Sequence, residues 1–333
     1  MAAFRVQPDP DRGDKWPSKA IGRHRCTPII LRPCVSRELP GQLTGEIEMA
    51  KTWFITGTSS GFGRALVEQL LARGDRVVGT VRKIAAMDDL KARYGDQLSV
   101  ASLDVTDING IRNVVRSAFE EVGYIDVVVN NAGYGLSGAA EELTDDQIRL
   151  QIDTNLIGSI QVIRAVIPHL RQQGGGRILQ LASMGGQIAI PNLSVYHATK
   201  WAVEGFMESV AQEVAPFGIE VTIVEPGLAR THFMGGSMVS GQPMEIYDAT
   251  PVGDFRRAVA QGLVPNNGDP VKMANAMIDS VYAKPAPLRL ALGSDAYSAI
   301  RGVLVSRLAA LDAQKAIALS TDVEEVGSLQ NVA

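Results

Sequence analysis

Cysteine is nearly missing from this sequence: 333 residues hold two, Cys26 and Cys34, both ahead of position 48. Two thiols cannot build a disulfide framework, and the rest of the chain has none for thiol catalysis or a cysteine-held metal. Aromatic residues are sparse at 5%, which points to a core of small aliphatic side chains. There is no surplus of positive charge: Lys+Arg 32 against Asp+Glu 36 gives a net charge of −4. Such a chain has no global field to gather phosphate backbones, so nucleic acid is not an expected partner. No run reaches the roughly 18 consecutive apolar residues of a membrane-crossing helix. His24 and His169 have no metal-ligand spacing to nearby acids, and no metal is expected. A signal-peptide apolar core is also lacking, so the expected location is cytoplasmic.

What the chain does have is glycine, 33 residues of it, and 46% hydrophobic residues. That combination suits a fold with many tight strand-to-helix turns. Composition shifts at one place. Residues 1–48 hold both cysteines and six of the 16 prolines without apolar periodicity, and Met49 then leads directly into a strand-like run. The folded domain is therefore expected over 49–320, after a disordered extension or upstream start and before a frayed tail at 321–333.

From Thr52 the sequence alternates β-branched runs with amphipathic stretches, the pattern of a parallel sheet with helical crossovers. Expected strands are Thr52–Thr56, Arg76–Val81, Leu98–Ser102, Asp126–Asn130, Gly176–Ala182, Glu220–Val224 and Leu288–Leu292. Several are apolar along their whole length, as Val127-Val128-Val129 shows, so helices should cover both faces. The expected fold class is α/β, a Rossmann-like doubly wound parallel sheet in a single domain. Long helices are expected over Asp145–Gln172, Ser194–Phe217 and Asp295–Lys315.

The first strand runs into Thr56-Gly57-Thr58-Ser59-Ser60-Gly61-Phe62-Gly63, and helical spacing follows from Arg64. Glycines there let the backbone N–H groups approach an anion, and the helix N-terminus adds partial positive charge. Gly57, Ser59, Gly61, Phe62 and Gly63 are thus expected to cradle a pyrophosphate. The spacing Gly-x-x-x-Gly-x-Gly differs from the Gly-x-Gly-x-x-Gly fingerprint. Tyr196 and Lys200 lie four apart on an expected helix, so they share a face. A fixed ammonium beside a phenol should pull its pKa down from about 10 toward a working range.

With Asn130-Asn131-Ala132-Gly133, Asn155, Ser183 and Tyr196-His197-Ala198-Thr199-Lys200 in order and at these spacings, the chain resembles the short-chain dehydrogenase/reductase family from Lys51 to about Thr231. The resemblance implies that Tyr196 exchanges a proton with a carbonyl or alcohol oxygen while a nicotinamide exchanges a hydride with its carbon. It implies that Ser183 holds that oxygen, that Lys200 tunes Tyr196, and that Asn155 holds a water continuing the proton relay. Asn131, Asp104, Gly227 and Thr231 are implied cofactor contacts, as are Tyr196 and Lys200. His197 and His232 flank these motifs and match no family position.

Cofactor choice is read at the end of the second strand. An acid there would accept from the ribose 2′-hydroxyl of NAD, whereas a cation suits the 2′-phosphate of NADP. The chain has Arg82-Lys83 and no acid, so NADP (NADPH) is expected over NAD, with Arg82 as the phosphate partner. Residues 232–269 carry Phe233, Met234, Met238, Met244, Ile246, Tyr247 and Phe255 among glycines and are expected to form a substrate lid. The expected activity is NADP-dependent interconversion of a carbonyl and an alcohol on an apolar or amphipathic small molecule, in a homodimer or homotetramer. The alternatives are an NAD-linked alcohol dehydrogenase and a non-catalytic dinucleotide sensor.

Overall fold

A computed structural model of the chain describes residues 50–231 and 233–323. The expected N-terminal extension, residue His232 and all but three residues of the expected C-terminal tail lie outside them. The described residues fall in one domain.

Seven parallel strands form the sheet in the order β3-β2-β1-β4-β6-β7-β9. They are β1 (Thr52–Thr56), β2 (Arg76–Val81), β3 (Leu98–Ser102), β4 (Val127–Asn130), β6 (Gly176–Leu181), β7 (Ile219–Pro226) and β9 (Arg289–Leu292). Two short strands, β5 (Gly135–Ser137) and β8 (Met238–Ser240), pair in parallel as a separate ribbon that the sequence did not signal. The helices are α1 (Gly61–Ala72), α2 (Asp88–Tyr94), α3 (Ile108–Val122), α4 (Asp145–Ile152), α5 (Ser159–Gln172), α6 (Ser194–Val214), α7 (Phe233–Gly236), α8 (Pro251–Ala260), α9 (Pro270–Ser280), α10 (Ser294–Ala313) and α11 (Lys315–Ser320). Among the described residues no helix is long and apolar enough to cross a membrane.

Alternation along β1 distributes the core to both faces. Trp53 and Ile55 pack with Leu66, Leu70 and Met277 from α1 and α9, while Phe54 packs with Ile111, Val166 and Met207 from α3, α5 and α6. Phe54 is fully buried. Such a side chain contributes about 1.5–3 kcal/mol by leaving water. Strand order reverses at β1, flanked by β2 and β4, and the carboxyl ends of β1 and β4 open the crevice where ligands bind in such sheets.

Two expectations need correction. The expected helix over Asp145–Gln172 is broken by a π-helical turn at Asp153–Gly158. A π turn adds one residue while the chain stays helical, so the two flanking patterns follow one another with only a one-residue phase shift and read as one helix. β7 runs two residues further than expected, to Pro226, because β9 pairs with it through Pro226↔Leu292. The helix beyond the last strand covers the sheet edge only at its start: Ala296 and Ile300 are buried, and Leu304, Leu308 and Leu311 are exposed.

Candidate active site

The carboxyl ends of β1, β4, β6 and β7 open into one cavity of about 510 Å³. At its floor the β1–α1 turn takes left-handed backbone at Gly57 (φ 72) and Gly61 (φ 59), which only glycine adopts without strain. A Cβ on Gly57 would stand 2.9 Å from Ala132 Cα, whereas one on Gly61 would meet nothing within 4 Å. The first turn of α1 carries no acid. An open-sided glycine turn leading into a helix N-terminus free of acidic residues fits the diphosphate of a dinucleotide.

Gly57, Ser59, Gly61, Phe62, Arg82 and Asp104 all line this cavity, as do Asn131, Gly227 and Thr231. Gly63 does not. It lies beneath the turn, where a Cβ would fall 2.2 Å from the Gly57 carbonyl oxygen, so its work is to let α1 pack closely. Asn131 spans the strand gap, donating from Nδ2 to Thr56 O at 2.8 Å and Gly57 O at 3.0 Å, and so braces the turn. Arg82 is exposed at the rim, and its charge helps Thr106 hold Asp104 below the usual carboxylate range, the Thr106 backbone hydrogen bond being the larger cause. Thr231 Oγ1 accepts from Phe233 N at 3.3 Å, capping α7 while facing the cavity.

At the opposite wall Ser183, Tyr196 and Lys200 come together. Ser183 leaves β6 and its Oγ accepts from Gly185 N at 3.0 Å, which fixes the hydroxyl at the head of a tight turn. Tyr196 and Lys200 sit one turn apart on α6, each 8% exposed and both on the cavity. Burial pushes the Tyr196 phenol up to about 12, against a hydrogen bond with Ser183 that lowers it. Burial thus opposes the lowering expected from Lys200. The ammonium stands 5.9 Å from the Tyr196 ring centroid and donates at 2.9 Å to Leu181 O, so desolvation prevails over the distant charge. Lys200 is itself pulled down to about 8 by burial.

Asn155 lies in the π turn and does not line the cavity. Its Oδ1 accepts from Tyr134 N at 3.0 Å and its Nδ2 donates to Tyr134 O at 2.8 Å. Both ends of the amide therefore engage one backbone residue, which places Tyr134 on the cavity wall. His197 is likewise engaged at both ring nitrogens. Nε2 accepts from Ile190 N at 3.1 Å, so Nδ1 carries the proton and donates to Gly185 O at 2.8 Å. Burial lowers its pKa, and it acts as a strap on the Ser183 turn.

The expected lid is partly a wall. Phe233, Met238 and Phe255 reach the cavity, and the Phe233 ring lies 5.8 Å from that of Tyr196. Met244 and Ile246 face outward, 39% and 73% exposed, and the side chain of Met234 lies outside the described residues. The segment is moored by Glu142, which sequence reasoning missed. Glu142 is 5% exposed, accepts from Ala139 N and Met244 N, and pairs with Arg256 on α8. Its carboxylate reaches back to Ala139 N, but alanine offers no side-chain acceptor in return, so no capping-box motif marks it in the sequence.

Comparison with known proteins agrees with this arrangement. Residues 51–238 match the family model described as short chain dehydrogenase. An oxidoreductase, BOA17, of Botryotinia fuckeliana is 43% identical over 249 residues, 74% of this chain and 90% of that protein. A 3-ketodihydrosphingosine reductase of Bacteroides thetaiotaomicron is 34% identical over 244 residues, 72% of this chain and 86% of its own length. The crystal structure of a short-chain dehydrogenase from Streptomyces avermitilis superimposes with a TM-score of 0.77 at 41% identity, covering 83% of this chain and 100% of that one.

Proposed function

The chain belongs to the short chain dehydrogenase family, NAD(P)-dependent oxidoreductases acting on CH–OH and C=O groups, and from that premise we propose that it is an NADPH-dependent reductase of an apolar or amphipathic ketone or aldehyde. The observation that carries this reading is the single cavity shared by the glycine turn, Arg82, Ser183, Tyr196 and Lys200.

A bound nicotinamide would supply the hydride in reduction. The chain's own residues do the rest. Ser183 Oγ, oriented by Gly185 N, donates to the substrate oxygen as negative charge develops there. Tyr196, protonated at neutral pH because burial holds its pKa high, gives its proton to that oxygen. Lys200, anchored on Leu181 O, provides positive charge beside the phenol so that the phenolate left behind is tolerated. Asn155 acts through Tyr134, holding the cavity wall in place.

Arg82 at the rim of the cofactor end supports NADP, since a guanidinium matches a 2′-phosphate and its own strand end carries no acid. Phe233, Met238, Phe255 and Ile190 make the substrate end apolar. The related protein is, by its name, a 3-ketodihydrosphingosine reductase, and a lipid-like ketone fits this apolar wall. Nicotinamide absorbance followed over a panel of ketones and aldehydes tests the activity, together with NADPH and NADH titrations of wild type and Arg82→Ala. We expect turnover on apolar carbonyls and a loss of NADPH affinity of about tenfold or more in the variant, with NADH binding unchanged. Equal affinity for the two cofactors in the wild type would overturn the NADP assignment.

A further inference from the structure

The buried polar row on α6 does not stop at Lys200. Glu204 follows one turn later, so Tyr196, Lys200 and Glu204 occupy one helix face at i, i+4 and i+8. Glu204 is 3% exposed among core residues. Its Oε2 pairs with Arg289 from β9, while its Oε1 is buried with no hydrogen-bond partner among the described residues. That oxygen lies against Gly186, where a Cβ would come within 2.0 Å of it. The turn that begins at Ser183 thus carries glycine where the carboxylate needs room. A buried carboxylate with an unsatisfied oxygen is costly unless a nearby charge compensates.

We propose that Glu204 is a positioning residue for the reaction: its carboxylate, held by Arg289 one turn from Lys200, keeps the Lys200 ammonium protonated beside the Tyr196 phenol. The inference rests on the reading that Tyr196 and Lys200 carry the acid–base step. Desolvation favours neutral lysine, and Glu204 is the charge that opposes it. Burial likewise pushes Glu204 up to about 7, against Arg289, so the guanidinium is what keeps the carboxylate ionised. The other charged groups facing this pair are Glu208 on α6 and Glu225 at the end of β7, both also held by Arg289. Gln187 donates to Glu225, the Met184–Gly186 turn brings no titratable group, and β6 presents only the Leu181 carbonyl to the ammonium. Because Glu225 directly precedes Pro226-Gly227, the same guanidinium joins the lysine's support to the turn on the cavity wall.

Lysine-selective ¹⁵N NMR titration of the full chain tests this, with the Lys200 signal assigned by its loss in Lys200→Met. The wild-type midpoint is expected near 8, with a second inflection near 7 transmitted from Glu204. In Glu204→Gln the attraction for the ammonium is gone, so the midpoint should fall by about one pH unit, and Glu204→Asp should restore most of it. The alkaline limb of reductive kcat/KM should move down by the same amount, whereas a purely structural role would lower kcat at every pH without moving the limb. An unshifted midpoint in Glu204→Gln overturns the proposal; if that variant does not fold, a single wild-type inflection does so. A Tyr196→Phe chain that still turns over while the midpoint moves as expected supports the coupling and counts against the acid–base assignment, so the two fail separately.

Discussion

A Cβ at position 63 would stand 2.2 Å from the Gly57 carbonyl oxygen and 2.7 Å from Asn131 Nδ2, two groups that brace the floor of the cavity. The residue chosen there for helix packing therefore also sets the shape of the anion cradle. Gly63→Ala should cost about 1–3 kcal/mol by overpacking, because backbone atoms cannot rotate away as a side chain would. Chemical denaturation measures that loss, and NADPH affinity should fall with it. Unchanged stability would mean the turn is free to shift. Tyr196, Lys200, Ser183 and the glycine turn were legible as residues because each sits in a short local motif. Glu142, Glu204 and Arg289 were not: Glu142 meets Arg256 across 114 positions, and Arg289 meets Glu204 across 85. No local pattern reports an ion pair closed by the fold.

At the scale of elements, β-branched and apolar runs located the seven sheet strands to within a residue or two, most plainly β4 and β7, which are buried along nearly their whole length. The β5–β8 ribbon went unread: each strand has three residues, and its partner lies about a hundred positions away. That ribbon and the Glu142 mooring make the substrate side a latched wall. Burial opposes ionisation of Glu142, yet hydrogen bonds from Met244 and Ala139 and the Arg256 charge hold its carboxyl below the usual carboxylate range. A depressed folded-state pKa gives stability that is present above the unfolded value and is lost as pH falls through the folded one. The segment 241–250 should accordingly become easier to cleave by an acid-tolerant protease as pH drops below the ordinary carboxylate range. In Glu142→Gln it should be open to cleavage already at neutral pH. Equal cleavage of variant and wild type at neutral pH would show that β5–β8 pairing alone moors the segment.

Among the described residues, those after Met49 build the sheet, pack both of its faces and line the cavity. We propose that 49–320 is the working domain and that it assembles as a dimer or tetramer through its long helices, where Leu150, Ile157 and Trp201 are exposed. A chain starting at Met49 should unfold at the same temperature as the full chain, keep its turnover, and run as a dimer or tetramer by light scattering. Loss of folding on removal of residues 1–48 would refute the boundary, and a monomer would refute the assembly.

In the proposed mechanism the Tyr196 hydroxyl is the proton donor. Single-turnover oxidation of bound NADPH by a ketone substrate, compared between wild type and Tyr196→Phe with NADPH affinity measured alongside, tests it most directly. The predicted result is a rate lower by about a hundredfold or more with cofactor affinity little changed. A Tyr196→Phe chain that oxidises NADPH at the wild-type rate would contradict it.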